Sequence, residues 1–356
     1  MNYLYYPIIE TTIGKIFNNI NGSPDLIMVT AEKQILKIAI LGAGAWGSAL
    51  AKLASYQAHH ISIWSRRLVD GQNITNHNIN ISEDLATVLA DADLVVSAVS
   101  MAGVTATAER LQNIGLSEHT VIVTATKGLD LQTSQTPSQI WQKFFPQHSV
   151  VVLSGPNLSE EINQGLPAAT VVASNDAEAC QIVQKVFASS RFRVYTSDDP
   201  LGTELGGTLK NVIAIATGVC DGLNLGNNAK SALLTRALTE IIRVGKHLGG
   251  KTETFFGLSG LGDMLTTCSS ILSRNYRVGY SLAEGKSLEQ ILQELNGTAE
   301  GVNTTNVVIN IAKRENILVP IAWQVYQLLN QQITAEQAVL ALMERDLKPE
   351  FMRDES

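Results

Sequence analysis

Apolar residues follow two textures along this chain, and the change falls near residue 200. Before it, short continuous apolar runs at 35–41, 60–64, 94–99, 121–124, 150–153, 170–173 and 192–195 read as buried strands. Helically spaced segments lie between several of them, at 44–55, 135–145 and 176–188. Strands alternating with helices predict an α/β architecture built on an open, doubly wound parallel sheet. Beyond residue 200 the strand-like runs stop. Amphipathic stretches take over at 209–220, 230–248, 287–295, 302–315, 323–329 and 335–343, with Val212, Ile213, Ile215, Ala216 and Val219 at helical spacing. The pairs Gly206-Gly207 and Gly249-Gly250 punctuate the series. The expected layout is an extension over 1–34, poorly ordered; a dinucleotide-binding domain over 35–200; an all-α substrate domain over 201–347; and a frayed tail over 348–356.

The 356 residues leave ample length for two cores, since single cores stop growing near ~250–300 residues. A net charge of -7 argues against non-specific nucleic-acid binding, which needs a basic footprint, and makes each lysine and arginine position more informative. Cys180, Cys220 and Cys268 are too scattered for a disulfide framework or a zinc site, and only His59 and His60 adjoin, so no metal site is expected and a reducing, cytoplasmic compartment is. No stretch approaches the ~20 apolar residues of a membrane span. Residues 1–34 lack the layout of a signal or transit peptide; a translation start at Met28 and a plain extension both remain open.

Gly42-Ala43-Gly44-Ala45-Trp46-Gly47 matches G-x-G-x-x-G, placed after an apolar run and before an Ala-rich helix. The first glycine permits a tight turn, the second lets backbone approach a pyrophosphate, and the third lets helix pack on strand. This predicts a Rossmann-like dinucleotide site. The acid that binds the ribose 2′-hydroxyl of NAD is missing from the end of the second strand, which reads Ser65-Arg66-Arg67. Two guanidiniums suit a 2′-phosphate, so NADPH is expected to be preferred over NADH; a solvated basic turn is the alternative.

Four further segments carry candidate chemistry. Lys127 follows a strand and falls at the C-terminal edge of the sheet, where open α/β sheets bind ligands. Ser154-Gly155-Pro156-Asn157 follows the next strand and would line the same crevice. Leu209-Lys210-Asn211-Val212 opens the first long helix of the second domain. Its apolar neighbours would desolvate Lys210 and bring its pKa towards working pH. Asp263 ends a glycine-rich stretch from Gly257, as a site residue or a helix cap, and leads to Ser273-Arg274-Asn275, a helix cap or a fork of donors for phosphate.

With these segments in order, residues 37–343 resemble the bacterial-type NAD(P)-dependent glycerol-3-phosphate dehydrogenases. The resembling stretches are Gly-Ala-Gly-Ala-Trp-Gly from Gly42, Ala-Thr-Lys-Gly-Leu from Ala125, Ser-Gly-Pro from Ser154, Leu-Lys-Asn-Val from Leu209, Gly-Leu-Gly-Asp from Gly260, and Ser-Arg-Asn at Ser273. The resemblance implies reduction of dihydroxyacetone phosphate to sn-glycerol 3-phosphate, feeding phospholipid synthesis. It implies Lys210 as proton donor and acceptor, with Lys127, Gly155, Asn157, Asn211, Asp263, Ser273, Arg274 and Asn275 at the substrate. Gly42, Gly44, Ala45, Trp46, Gly47, Arg66, Arg67, Lys127, Ser159, Arg274, Thr298 and Glu300 would lie at the cofactor.

The chain departs from that pattern at Ala45 and Ser48, at Asn157-Leu158-Ser159, and in a shortened connection from Arg67 to Asp84. Rival readings are a ketopantoate reductase or 3-hydroxyacid dehydrogenase, and a non-catalytic NAD(P) sensor. The constellation of Leu-Lys-Asn-Val, Gly-Asp and Ser-Arg-Asn argues against the reductases, and the retained lysines argue against the sensor. Apolar helix faces in the second domain would suit a homodimer or belong to the core.

Overall fold

The structure is a computed structural model, and it describes residues 35–66, 78–295, 297–347 and 349–350. Among the described residues eight strands form one sheet: β1 Lys37–Leu41, β2 His60–Trp64, β3 Ile79–Ser82, β4 Leu94–Ser97, β5 Val121–Thr124, β6 Val150–Ser154, β7 Ala168–Ala173 and β8 Phe192–Ser197. Their spatial order is β3-β2-β1-β4-β5-β6-β7-β8. The first six reproduce the 3-2-1-4-5-6 order of a dinucleotide-binding sheet and run parallel. The expected Rossmann-like sheet is therefore present.

Two details differ from expectation. β3 was not foreseen, because Ile79-Asn80-Ile81-Ser82 is a short, half-buried edge strand and not a continuous apolar run. The sheet is also not parallel throughout: β7 pairs antiparallel with β6, and β8 follows β7 in parallel. Strand composition carries no information about that reversal.

Both faces of the sheet are covered. On one, Ile38, Ile40, Ile61, Ile63, Val96 and Val123 pack with α1 (Ala45–Ser55) and Val183, Val186 and Phe187 of a later helix (Ala177–Phe187). On the other, Ala39, Leu41, Val95 and Ile122 meet Val104, Leu111, Ile140 and Trp141. Continuous apolar strands with period-2 allocation to two covered faces are what a buried parallel sheet requires.

From Pro200 onward, every element among the described residues is helical. The central one, α7 by chain order, spans Pro200–Gly222, with Asp199 capping the Gly202 amide and Pro200 in the first turn. It begins nine residues before the expected start. Gly206 and Gly207 read as punctuation in the sequence, yet both lie inside the helix, where neighbours come too close for a side chain. A Cβ on Gly206 would lie 2.9 Å from the Ser259 oxygen. Further along, Gly218 and Gly279 let α7 cross the helix Arg274–Ala283 closely. Added Cβ atoms would lie 2.1 Å from the Tyr276 oxygen and 1.9 Å from the Ile215 oxygen. Helices Gly226–His247, Glu300–Glu315 and Pro320–Leu329 complete a second core around Val212, Ile213, Ile241, Val308 and Val325. Among the described residues, no helix is long and apolar enough to cross a membrane.

Candidate active site

The glycine loop between β1 and α1 divides its labour. Gly42 has φ of 110°, in the left-handed region that glycine tolerates, and a Cβ there would lie 3.0 Å from the Ala98 oxygen. A Cβ on Gly47 would lie 1.9 Å from the Gly42 oxygen, so this position packs helix against loop. Gly44 is the opposite case, with nothing within 4 Å of where its Cβ would stand. The leading amides of α1 carry no side-chain cap, and its first turn holds no acid. Open space beside an uncapped helix N-terminus fits a dinucleotide pyrophosphate. Ala45 is exposed there, and Trp46 Nε1 donates to the Ala125 oxygen at 3.2 Å, tying the loop to the segment that carries Lys127.

Other expected cofactor residues are spread around this loop. Arg66 is exposed just past the end of β2, and Arg67 lies outside the described residues. Ser159 opens a short helix, Ser159–Asn163. Glu300 reaches back to the turn that follows β4: its Oε1 accepts from the Met101 amide at 3.2 Å and from Thr298 Oγ1 at 3.4 Å. Burial raises the Glu300 carboxyl above its ordinary range, opposed by those bonds and by nearby Arg274.

At the C-terminal edge of the sheet, one carboxylate holds two lysines. Asp263 Oδ1 accepts from Lys210 Nζ at 2.5 Å, and Oδ2 from Lys127 Nζ at 2.7 Å. The side chain of Asp263 is 2% exposed, that of Lys210 7% and that of Lys127 19%. Lys127 also donates to the Gly155 oxygen at 3.1 Å, and Lys210 to Thr267 Oγ1. Asp263 and Thr267 stand one turn apart on the helix Asp263–Cys268, which is why both reach the same ammonium. Thr267 escaped the sequence reading, although that four-residue spacing was visible. Burial lowers the Lys210 pKa to about 8; Asp263 pulls it up and Lys127 pushes it further down.

Gly207, one turn before Lys210, explains how this cluster fits under α7. A Cβ there would lie 2.3 Å from Ser154 Oγ, 3.4 Å from Lys127 Cε and 3.6 Å from Asp263 Oδ2. Gly155 is similarly constrained, since its Cβ would lie 2.9 Å from Thr170 Cα on β7. Thr170 Oγ1 donates to the Ser154 oxygen at 2.9 Å and accepts from Asn157 Nδ2 at 3.0 Å. Asn157 Oδ1 is buried without a partner and is available as an acceptor.

Of the two roles that the Ser-Arg-Asn sequence leaves open, the structure displays the helix cap. Ser273 Oγ accepts from the Tyr276 amide at 3.2 Å and caps the helix Arg274–Ala283. Asn275 Oδ1 accepts from the Gly301 amide at 2.9 Å. Asn211 is buried beside Lys210, and its backbone oxygen would stand 2.7 Å from a Cβ on Gly301, so these residues meet at the start of the helix Glu300–Glu315. Ser273 Oγ and Asn275 Oδ1 thus each accept one backbone bond, and the exposed Arg274 guanidinium, resting against Gly297, offers donors. Among the described residues no group of three or more His, Cys, Asp or Glu could hold a metal ion.

Comparison with known proteins converges on one family. Residues 37–180 match the family model described as NAD-dependent glycerol-3-phosphate dehydrogenase N-terminus, and residues 199–340 match its C-terminus. A protein of Trichormus variabilis named glycerol-3-phosphate dehydrogenase (NAD(P)+) is 59% identical over 314 residues, covering 88% of this chain and 98% of that one. Its namesake in Synechocystis is 59% identical over 315 residues, covering 88% of this chain and 95% of that one. The crystal structure of glycerol-3-phosphate dehydrogenase from Coxiella burnetii superposes with a TM-score of 0.83 at 34% identity, covering 87% of this chain and 99% of that one. A ketopantoate reductase from Ralstonia eutropha reaches a TM-score of 0.55 at 15% identity, a likeness of fold alone. On matches that span both the sheet and the helical half, the chain belongs to the NAD-dependent glycerol-3-phosphate dehydrogenase family.

Proposed function

We propose that this chain reduces dihydroxyacetone phosphate to sn-glycerol 3-phosphate, reversibly, with NADPH or NADH, in the supply of glycerol 3-phosphate for phospholipid synthesis. The observation that carries the reading is the buried pairing of Lys210 and Lys127 on Asp263 at the strand ends beside an open glycine loop. When bound, the nicotinamide supplies a hydride to C2 of the ketone. Lys210, whose pKa of about 8 keeps it mostly ammonium near neutrality, donates the proton that the C2 oxygen needs. In the reverse direction the neutral amine takes that proton back. Lys127 stabilises the developing alkoxide, and Asn211 orients it. Asp263 holds both ammonium groups so that they point at one place before the substrate arrives.

Arg274, with the amide of Asn275 and the Ser273 region, binds the phosphate. Gly155 and Asn157 line the remaining side, where the unpartnered Asn157 Oδ1 accepts from a substrate hydroxyl. Gly42, Gly44, Ala45, Trp46 and Gly47 hold the pyrophosphate, and Ser159, Thr298 and Glu300 lie along the rest of the cofactor. Arg66, exposed past β2, and Arg67 select the 2′-phosphate of NADPH. Residues 35–200 act as the cofactor domain and 201–347 as the substrate domain. A homodimer in the cytoplasm completes the reading; three buried free thiols accord with a reducing setting.

Loss of absorbance at ~340 nm on mixing protein, dihydroxyacetone phosphate and NADPH, repeated with NADH, tests the whole proposal. Oxidation of both with higher kcat/KM for NADPH is expected, and Lys210→Ala should lower kcat by at least ~100-fold. Wild-type kcat in Lys210→Ala would refute the lysine's role, and a strong NADH preference would refute that of the arginines.

A further inference from the structure

Ser154 is the last residue of β6, and its backbone is well held: its oxygen accepts from Thr170 Oγ1. Its hydroxyl is not. Ser154 Oγ is buried and has no hydrogen-bond partner. Other buried hydroxyls share that condition, but this one stands within the shell of atoms that a side chain at Gly207 would strike, together with Lys127 Cε and Asp263 Oδ2. A small residue is needed here for α7 to pass. Alanine would meet that need without burying an unpartnered hydroxyl, which costs stability. Local rules broken beside a catalytic cluster point to a function that the resting arrangement does not use.

The donors of Lys127 supply that function. Its ammonium carries three N–H bonds. One meets the Gly155 oxygen at 3.1 Å and one meets Asp263 Oδ2 at 2.7 Å. The third is uncommitted, but turning the ammonium to bring a donor onto the substrate's C2 oxygen loosens its bond to Asp263, and that loss needs compensation in a largely buried site. We infer that Ser154 is the positioning residue for this shift: its hydroxyl oxygen accepts a hydrogen bond from the Lys127 ammonium once the substrate has drawn Lys127 from Asp263. The Gly155 oxygen remains as the pivot, so the ammonium swings between Asp263 and Ser154 about a fixed bond. The inference rests on the proposed role of Lys127. It gives a reason for a serine, and not merely a small residue, at the end of β6.

The test is a double-mutant cycle with Ser154→Ala and Lys127→Met, reading kcat, KM for dihydroxyacetone phosphate and melting temperature; Lys127→Gln replaces Lys127→Met if that variant fails to fold. In the wild-type background Ser154→Ala should lower kcat roughly tenfold or more, because a displaced catalytic group is costly, with melting temperature unchanged or raised. In the Lys127→Met background, followed by single turnover at high enzyme concentration, Ser154→Ala should cause no further loss. Wild-type kcat in Ser154→Ala overturns the inference. So does an equal proportional loss in both backgrounds, which would mean that the hydroxyl acts without Lys127. If Lys127→Met itself keeps wild-type kcat, the role of Lys127 falls and this inference with it; loss in Lys127→Met with full activity in Ser154→Ala removes this inference alone.

Discussion

Replacing Asp263 by asparagine should convert a well-tuned acid into one that titrates too early. The Lys210 pKa of about 8 is a balance: burial and Lys127 push it down, and the Asp263 carboxylate at 2.5 Å pulls it up. Asparagine keeps the shape and removes the charge. An opposing charge at such range shifts a pKa by ~1–3 units, so the variant's Lys210 should titrate near pH ~6. Reduction needs the ammonium, so the descending limb of kcat/KM against pH should move from about 8 to near ~6. At pH ~7.5 the protonated fraction would drop from roughly three quarters to ~3%, a loss of ~25-fold from titration alone. Lowering the assay to pH ~5.5 should recover most of that factor, leaving only the cost of freeing Lys127 from its carboxylate. Stopped-flow oxidation of the nicotinamide across pH 5 to 10, in both proteins, reads the two limbs directly. A limb that stays in place, moves upward, or is replaced by a pH-independent loss would refute the assignment of Lys210 as the tuned acid.

Gly207→Ala should leave the fold nearly intact, because alanine gains up to ~1 kcal/mol of helix propensity against a local clash, yet should cost roughly 100-fold in kcat by displacing Ser154 and Lys127; a kcat near wild type would show that the close packing is not catalytically critical. Glu204 gives a prediction about stability. Its buried carboxylate accepts from the Ser138 amide at 2.9 Å and also from the Ser138 hydroxyl, and burial raises its pKa from 4.5 to about 7. A folded-state pKa above the unfolded value gives stability that is complete below pH 4.5 and lost as pH rises through about 7, by up to ~3 kcal/mol. Glu204→Gln should therefore flatten the fall in melting temperature between pH 5 and 7.5, and an unchanged slope would exclude Glu204 as its source.

The parts most legible in the sequence were those with a local signature. The glycine loop, the buried strands and the desolvated setting of Lys210 each follow from short-range pattern, and the structure contains all three. Legibility failed where meaning depends on what lies across a gap. Gly207 looks like a break until Ser154 and Lys127 are seen against it. Ser273 and Asn275 offer polar atoms to any reader, but only the Tyr276 and Gly301 amides show that each oxygen already accepts a backbone bond. The reversal of β7 leaves no trace in Ala-Ala-Thr-Val-Val-Ala, because direction is set by the route of the chain through the short helix Ser159–Asn163.

That reversal has a consequence for what the crevice can admit. Because β7 runs against β6, its entering end stands alongside the departing end of β6, bringing Thr170 across Gly155 and sealing that flank with main chain. In a wholly parallel sheet a loop would stand there, free to lengthen or retract during divergence. Here the boundary is a ladder of backbone hydrogen bonds that side-chain replacement does not move. Attempts to broaden the acceptor towards longer sugars should thus gain little on the β7 side.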